Sequence, residues 1–338
     1  MKIGHIDLDR ETFVIAEVGN NHEGDHGRAE EMVWRAAEAG AHAVKFQTVV
    51  PDRYVRPQET ARVAQLRRIT LPLDSFPKLA ETARRAGILF LSTPFDVDSV
   101  SVLEPDVPAF KVASGDNNFV PLLRRVAETG KPVLLSLGMA DLADLNFAHG
   151  LLERTWREQG ATGAGLIPLH CVAAYPVAPE FANLRAIRTI ADATGLTVGY
   201  SDHTVGLDAP LLAVALGARV IEKHFTLSRS ISDFRDHQLS LEPSEMAELV
   251  RRIKETAAML GDGAFAVSEA ERATAAVARR SICARRDLPA GHVVSPADID
   301  WLRPSGGLAP GNEAQVLGRR LSKPVAAGEW IMPDAVVE

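Results

Sequence analysis

The sequence predicts an α/β protein: a (β/α)8 barrel of the TIM type followed by a small, mostly-β module. Short β-branched or apolar runs alternate with longer segments of helical periodicity, and eight such pairs fit the roughly 260 residues of a closed parallel barrel. The helical segments stop at glycine, the residue that tolerates the positive φ of a helix end. Near residue 262 the alternation ceases and a turn-rich stretch without long helices begins. An open, doubly wound sheet is the competing arrangement of the same alternation.

The strand candidates are FVIAEV (13–18), AVKFQT (43–48), LFLSTP (89–94), FKVAS (110–114), VLLSLG (133–138), LIPLHC (166–171), TVGYSD (197–202) and VIEKHF (220–225). Between them lie GRAEEMVWRAAEAG and SFPKLAETARRAG, apolar at helical spacing and ending in Gly40 and Gly87. Parallel strands in sequence order require right-handed crossovers. The barrel is expected over 1–262, a Gly-bounded linker with a short helix over 263–278, and a separate module over 279–338, where Pro-Ala-Gly and Ala-Ala-Gly-Glu mark turns.

Composition narrows the partners. The chain of 338 residues is 46% hydrophobic and 24% charged, with a formal net charge of −7, which argues against a nucleic-acid surface. It does not exclude a small anionic substrate, because a few local lysines outweigh a distant acidic surface. No apolar run reaches the ~18 residues of a membrane helix, and MKIGHIDLDRETF lacks an apolar signal core, so a cytoplasmic location is expected. The two cysteines, Cys171 and Cys283, have no ligand-like spacing and are expected to be reduced thiols.

A barrel gathers its strand C-termini on one face, where its chemistry resides. Polar residues stand at those ends: Glu17, Lys45 and Gln47, Thr93, Lys111 and Ser114, Ser136, His170 with Tyr175 beyond it, Ser201 and His203, Glu222 and His224. Strands seven and eight are sequence neighbours and would lie roughly 4.8 Å apart. His203 and His224 at their matching ends can then converge on one divalent cation, with water or substrate completing its shell. Glu222 precedes His224 by two residues and shares its face. Thiolate ligands are lacking, so a loosely held Mn2+, Mg2+ or Zn2+ fits better than structural zinc. Two histidines that only hydrogen-bond are the alternative. Lys45, Lys111 and the neighbouring hydroxyls read as a phosphate cradle, with KVASGDNN placing Lys111, Ser114 and Gly115 together.

The segments AEVGNNHEGD, AVKFQT, LSTPFD, KVASGD, LSLGMA, HCVAAYPVAPE, GYSDHTVG and IEKHFTL together resemble the sialic acid synthases, the phosphoenolpyruvate-dependent nonulosonic acid synthases. The tail RRSICARRDLPAGHVVSPADIDWLRPSGGL resembles the SAF module, which is similar to type III antifreeze protein. The resemblance implies condensation of phosphoenolpyruvate with an N-acylated hexosamine such as N-acetylmannosamine, giving a nine-carbon 2-keto acid and phosphate. It implies a metal on His203 and His224, Mn2+ foremost, and phosphoenolpyruvate contacts from Lys45, Gln47, Thr93, Lys111, Ser114, Ser136 and Ser201. The sugar would meet Glu17, Tyr175 and Asp236. Arg303 would reach from one subunit's tail module to the N-acyl group in its partner, implying a homodimer with a swapped C-terminal domain.

In the mechanism so implied, the metal polarises the sugar aldehyde and Glu17 or Glu222 activates the water that adds at C2. Lys45 and Lys111 stabilise the departing phosphate. A metal that delivers the water instead remains open. Three departures from the family pattern matter. Ala173 and Ala174 stand where many relatives carry a polar residue, Leu137 replaces a threonine, and the family's PGPDH loop reads SDFRDH. That loop leaves Asp233 and Asp236 as candidates for the sugar contact, with the Asp-His pairing favouring Asp236. Its Arg235 would either pair with a further acidic group of the substrate or neutralise a neighbouring aspartate. Asp116 stands where relatives carry acidic residues and is expected to contact substrate. Two other functions compete: the same chemistry on a different acceptor, a legionaminic or pseudaminic precursor or a phosphorylated aldose, the last calling for more basic residues, and an inactive carbohydrate-binding barrel, which calls for missing ligands.

Overall fold

The computed structural model describes residues 1–161 and 164–337, so position 338 of the C-terminal module lies outside it. The chain forms two compact units, Met1–Gly261 and Asp262–Glu338.

The first unit is built on eight parallel strands: β1 (Phe13–Gly19), β2 (Ala43–Thr48), β3 (Leu89–Pro94), β4 (Phe110–Val112), β5 (Val133–Ser136), β6 (Leu166–Cys171), β7 (Gly199–Asp202) and β8 (Val220–His224). Their order around the sheet is β3-β2-β1-β8-β7-β6-β5-β4, and β3 lies beside β4, so the ring is nearly closed. Helices follow each strand, among them α1 (His26–Glu38), α2 (Ser75–Ala86) and α3 (Leu142–Glu158). Asp25 caps α1 through the Arg28 amide, and Asp141 and Asp144 form a capping box on α3. Gly87 ends α2 at φ 74°, as the sequence reading requires.

Alternation divides each strand between two cores. Val14, Ala16, Val44, Phe46, Phe90, Val112, Leu135 and Ile221 pack outward against the helices. Phe13, Ile15, Ala43, Leu91, Leu134, Ile167, Leu169 and Val220 fill the barrel interior, joined by Ile3, Ile6 and Leu8. Ile3 and Ile6 belong to an N-terminal hairpin, Lys2–Ile3 with Ile6–Asp7, that the sequence reading did not contain, and Leu8 directly follows it. The hairpin supplies apolar side chains to the end of the barrel opposite the strand C-termini. Some strands end earlier than their apolar runs: β4 stops at Val112 because Ser114–Asp116 turns into a 3-10 helix, and β5 stops at Ser136.

The second unit has its own core of Ile282, Leu288, Val294, Ile299, Val316, Leu321, Val325 and Ile331. Two short antiparallel pairs frame it, Ser281–Ala284 with Ile299–Leu302 and Arg320–Leu321 with Val336–Val337. Helix Glu269–Ala278 precedes them, started by a Ser268–Glu271 capping box. Among the described residues no helix is long and apolar enough to cross a membrane.

Candidate active site

The interior positions that are apolar at one end of the barrel become polar at the other, and there the strands surround a cavity of about 810 Å³. Thirteen of the residues expected from the sequence line it: Glu17, Lys45, Gln47, Thr93, Lys111, Ser114, Ser136, Tyr175, Ser201, His203, Glu222, His224 and Asp236. Two do not. Asp116 follows the lining residues Ser114 and Gly115, but the 3-10 turn carries it off the wall. Its Oδ2 is buried without a hydrogen-bond partner, and burial pushes its carboxyl up to about 6. Arg303 belongs to the second unit, where it is exposed.

The floor is a compensated cluster of four buried charges. Lys45 Nζ lies 2.8 Å from Glu17 Oε2 and 3.6 Å from Glu222 Oε1, and donates to Thr93 Oγ1 at 3.1 Å. Lys111 Nζ lies 3.3 Å from the same Glu222 oxygen. Gln47 Nε2 donates to Glu17 Oε1 at 3.0 Å, and Ser201 Oγ donates to Glu222 Oε1 at 3.1 Å. Burial opposes the charge on Lys45 most strongly, yet the Glu17 and Glu222 carboxylates overcome it and raise the ammonium above its ordinary value. Lys111 goes the other way: burial, reinforced by the Lys45 charge, outweighs Glu222 and lowers it. Burial also works against the Glu222 carboxylate, but Lys111 and Lys45 prevail and hold it below the usual range. The lysines are therefore less free than a bare phosphate cradle, since any anion that enters competes with two carboxylates for them.

The two imidazoles meet over this floor, ring centroids 5.4 Å apart at 56°. His203 Nδ1 faces the Val172 carbonyl at 2.8 Å, which assigns the proton to Nδ1 and leaves Nε2 a lone pair. His224 Nδ1, Glu222 Oε2 and Ser136 Oγ are buried without hydrogen-bond partners. A buried imidazole nitrogen of His224 without a partner among the described residues, beside the fixed tautomer of His203, is the donor chemistry a divalent cation takes, so the two histidines fit one. Among the described residues no third His, Cys, Asp or Glu joins them in a metal-binding group, so the fit is to a cation completed by water or substrate.

The outer wall carries residues the sequence reading passed over. Arg62 and Gln65, from helix Thr60–Ile69, line the cavity together with Tyr54, Phe95 and Met139. On a short helix their polarity reads as a solvent face, and no strand-end signal marks them. Tyr175 covers His203, with ring centroids 4.1 Å apart, and burial raises its phenol. The Arg235 guanidinium sits 4.4 Å over the Tyr175 ring, and its Nε donates to Asp236 Oδ1 at 3.1 Å. Of the two aspartates in that loop, Asp236 is buried and Asp233 exposed, though both line the cavity. His170 is turned to the Ala182 carbonyl, 2.8 Å away, and stacks on Tyr200.

A barrel with a compensated Lys/Glu floor and two open imidazoles at its strand C-termini is an enzyme's architecture. Comparison with known proteins agrees. The model of the NeuB family matches residues 32–265, and that of the SAF domain matches residues 279–337. An N,N'-diacetyllegionaminic acid synthase of Legionella pneumophila is 38% identical over 334 residues, covering 95% of this chain and 93% of that one. The N-acetylneuraminate-9-phosphate synthase of Homo sapiens is 30% identical over 343 residues, covering 96% and 92%. The crystal structure of an N-acetylneuraminic acid synthetase from Leptospira borgpetersenii, in complex with citrate, superposes with a TM-score of 0.75 at 34% identity, over 81% of this chain and 94% of that one. The chain belongs to the NeuB family. It is a carbon–carbon bond-forming transferase of the acid synthase type, and its second unit is a SAF domain.

Proposed function

We propose that the chain condenses phosphoenolpyruvate with the open-chain aldehyde of an N-acylated hexosamine, N-acetylmannosamine or a close relative. Water is consumed, and a nine-carbon 2-keto acid and phosphate are released. The observation that carries this reading is the convergence of Lys45, Lys111, Glu17, Glu222, His203 and His224 on one cavity.

His203 and His224 would hold a divalent cation, Mn2+ foremost or Mg2+, which when bound supplies Lewis acidity toward an aldehyde oxygen. Lys45 and Lys111 bind the phosphate and take up the charge that develops as it leaves C2. Ser136 Oγ, without a partner among the described residues, donates to an anionic oxygen. Glu222 Oε2 is equally unpartnered and, with Glu17 the other candidate, accepts a proton from the water that adds at C2. Tyr175 and Asp236 border the space left for the acceptor. The same proposal includes a homodimer with swapped tail modules, in which Arg303 meets the acceptor's acyl group. Light scattering that gave a monomer mass at working concentration would refute that part.

A phosphorylated acceptor is the second reading. Arg62 and Arg235 on the cavity wall favour it, as does the name of the human relative. Phosphate release from phosphoenolpyruvate, measured against neutral, di-N-acetylated and 6-phosphorylated hexosamines, separates the two. The first reading expects turnover with a neutral N-acylated acceptor, abolished by EDTA and restored by Mn2+. Turnover confined to phosphorylated acceptors would overturn the acceptor, and full activity after chelation would overturn the metal.

A further inference from the structure

Directly behind the two histidines, on the outward face of the same strands, lies an ion pair that touches neither cavity nor solvent. Asp202 and Lys223 are opposite one another in the β7/β8 register, each immediately preceding a histidine in the chain. Their side chains are 0% exposed, and Lys223 Nζ lies 2.6 Å from Asp202 Oδ2. Asp202 Oδ1 accepts from Tyr200 Oη at 2.9 Å and from the Thr204 amide at 2.8 Å. Lys223 Nζ also donates to the Thr204 carbonyl. The pair thus holds the backbone immediately after His203 at both its donor and its acceptor, from a lysine bonded to His224.

Thermodynamics gives such a pair little reason to exist as a source of stability. Withdrawing two ions from water costs several kcal/mol for each, and well-packed apolar replacements are often neutral or better. What full burial with satisfied partners does provide is fixed geometry. β7 ends at Asp202, and beyond the ladder the His203 carbonyl accepts from the Val177 amide at 2.9 Å and its ring faces the Val172 carbonyl, which ties His203 to the β6 side but not to β8. The contacts made by Asp202 and Lys223 extend the constraint across that gap.

We propose that the Asp202–Lys223 pair is a positioning device for the cation site, setting the spacing of the His203 and His224 imidazoles through their backbone. The inference rests on the reading of those histidines as cation ligands. Its test is Mn2+ binding to the full chain, followed by the electron paramagnetic resonance of free Mn2+, together with the thermal midpoint in chelator. In Asp202→Asn/Lys223→Met both charges go at once, and the asparagine keeps an acceptor for Tyr200 and Thr204. The Mn2+ Kd should rise about 10- to 100-fold, as expected for groups that orient ligands from behind, with the midpoint little changed. An unchanged Kd, whatever the midpoint does, would overturn the positioning role alone. Mn2+ binding that is missing from the unaltered chain, or that survives in His203→Ala/His224→Ala, would overturn the ligand reading and this inference with it. Should the double variant not fold, Tyr200→Phe removes one donor to Asp202. A smaller rise in Kd then supports the proposal, and none refutes it.

Discussion

Removing Lys45 tests the compensated floor most directly. Lys45, Glu17, Lys111 and Glu222 are 1%, 2%, 4% and 4% exposed, so none can recover its hydration if a partner is lost. With two ammonium groups and two carboxylates the cluster is neutral. Lys45→Met leaves a net buried negative charge, with Glu17 deprived of its 2.8 Å partner and Glu222 held by Lys111 alone. Breaking a buried pair from one side costs about 3–5 kcal/mol, on the order of 10 °C in the melting of a barrel this size. Lys45→Met/Glu17→Gln restores neutrality, so the double variant should be the more stable of the two, with a coupling of about 2–3 kcal/mol between the sites. Both variants should lose phosphate release from phosphoenolpyruvate. Urea unfolding of the wild type, both singles and the double gives the cycle. Additive losses, or a Lys45→Met cost under about 1 kcal/mol, would show that the four groups are not the coupled cluster drawn from their distances.

Asp116 should leave a signature in the pH dependence of stability. Its carboxyl is raised from 3.8 to about 6, so the fold disfavours its charge: the folded state holds more protons than the unfolded between about pH 4 and 6. Stability falls as pH rises through that window and stays lowered above it. Asp116→Asn should therefore stabilise at pH 7.5, by up to about 1 kcal/mol once partial exposure is allowed for, and by less at pH 4. Equal gains at the two pH values in urea melts would refute the assignment. Arg235→Ala should raise the acceptor KM about fivefold to tenfold with the phosphoenolpyruvate KM unchanged, because the guanidinium contacts Tyr175 and Asp236 and, among the described residues, pairs with no member of the Lys/Glu floor. A parallel rise in both KM values would argue against that separation.

The sequence made the barrel legible because two periodicities coincide in it. Val14, Ala16 and Val18 alternate with Phe13, Ile15 and Glu17, which announces a strand buried on both faces and polar at one end. The N-terminal hairpin escaped because strands of two residues are shorter than any period. Arg62 and Gln65 escaped because a polar residue on an exposed helix carries no mark of the cavity it borders. Asp116 stays outside the cavity lining for a local reason: a single 3-10 turn after β4 rotates consecutive residues away from a common wall. The lysines were found, but their state was not. Periodicity reports which face a side chain occupies, whereas the 2.8 Å and 3.3 Å contacts with Glu17 and Glu222 arise only when distant strands close the ring.

The same alternation explains why the fold and the site do not compete for residues. Inward positions run Phe13, Ile15, Glu17 on β1, Ala43, Lys45, Gln47 on β2, Leu134, Ser136 on β5, and Val220, Glu222, His224 on β8. Apolar side chains occupy the end that the hairpin joins, and the ionisable ones the end from which the cavity opens. A slip of one residue in these strands would turn apolar inward residues toward the helices and bring an outward one, such as Val18, Phe46, Leu135 or Ile221, to the level of the lysines. Register is consequently held by both halves at once, by hydrophobic burial at one end and by charge pairing across β1, β2, β4 and β8 at the other. The groups that would bind phosphate are thus the groups that fix the upper barrel, which is why charge-neutral double replacements should spare the fold while still abolishing the chemistry.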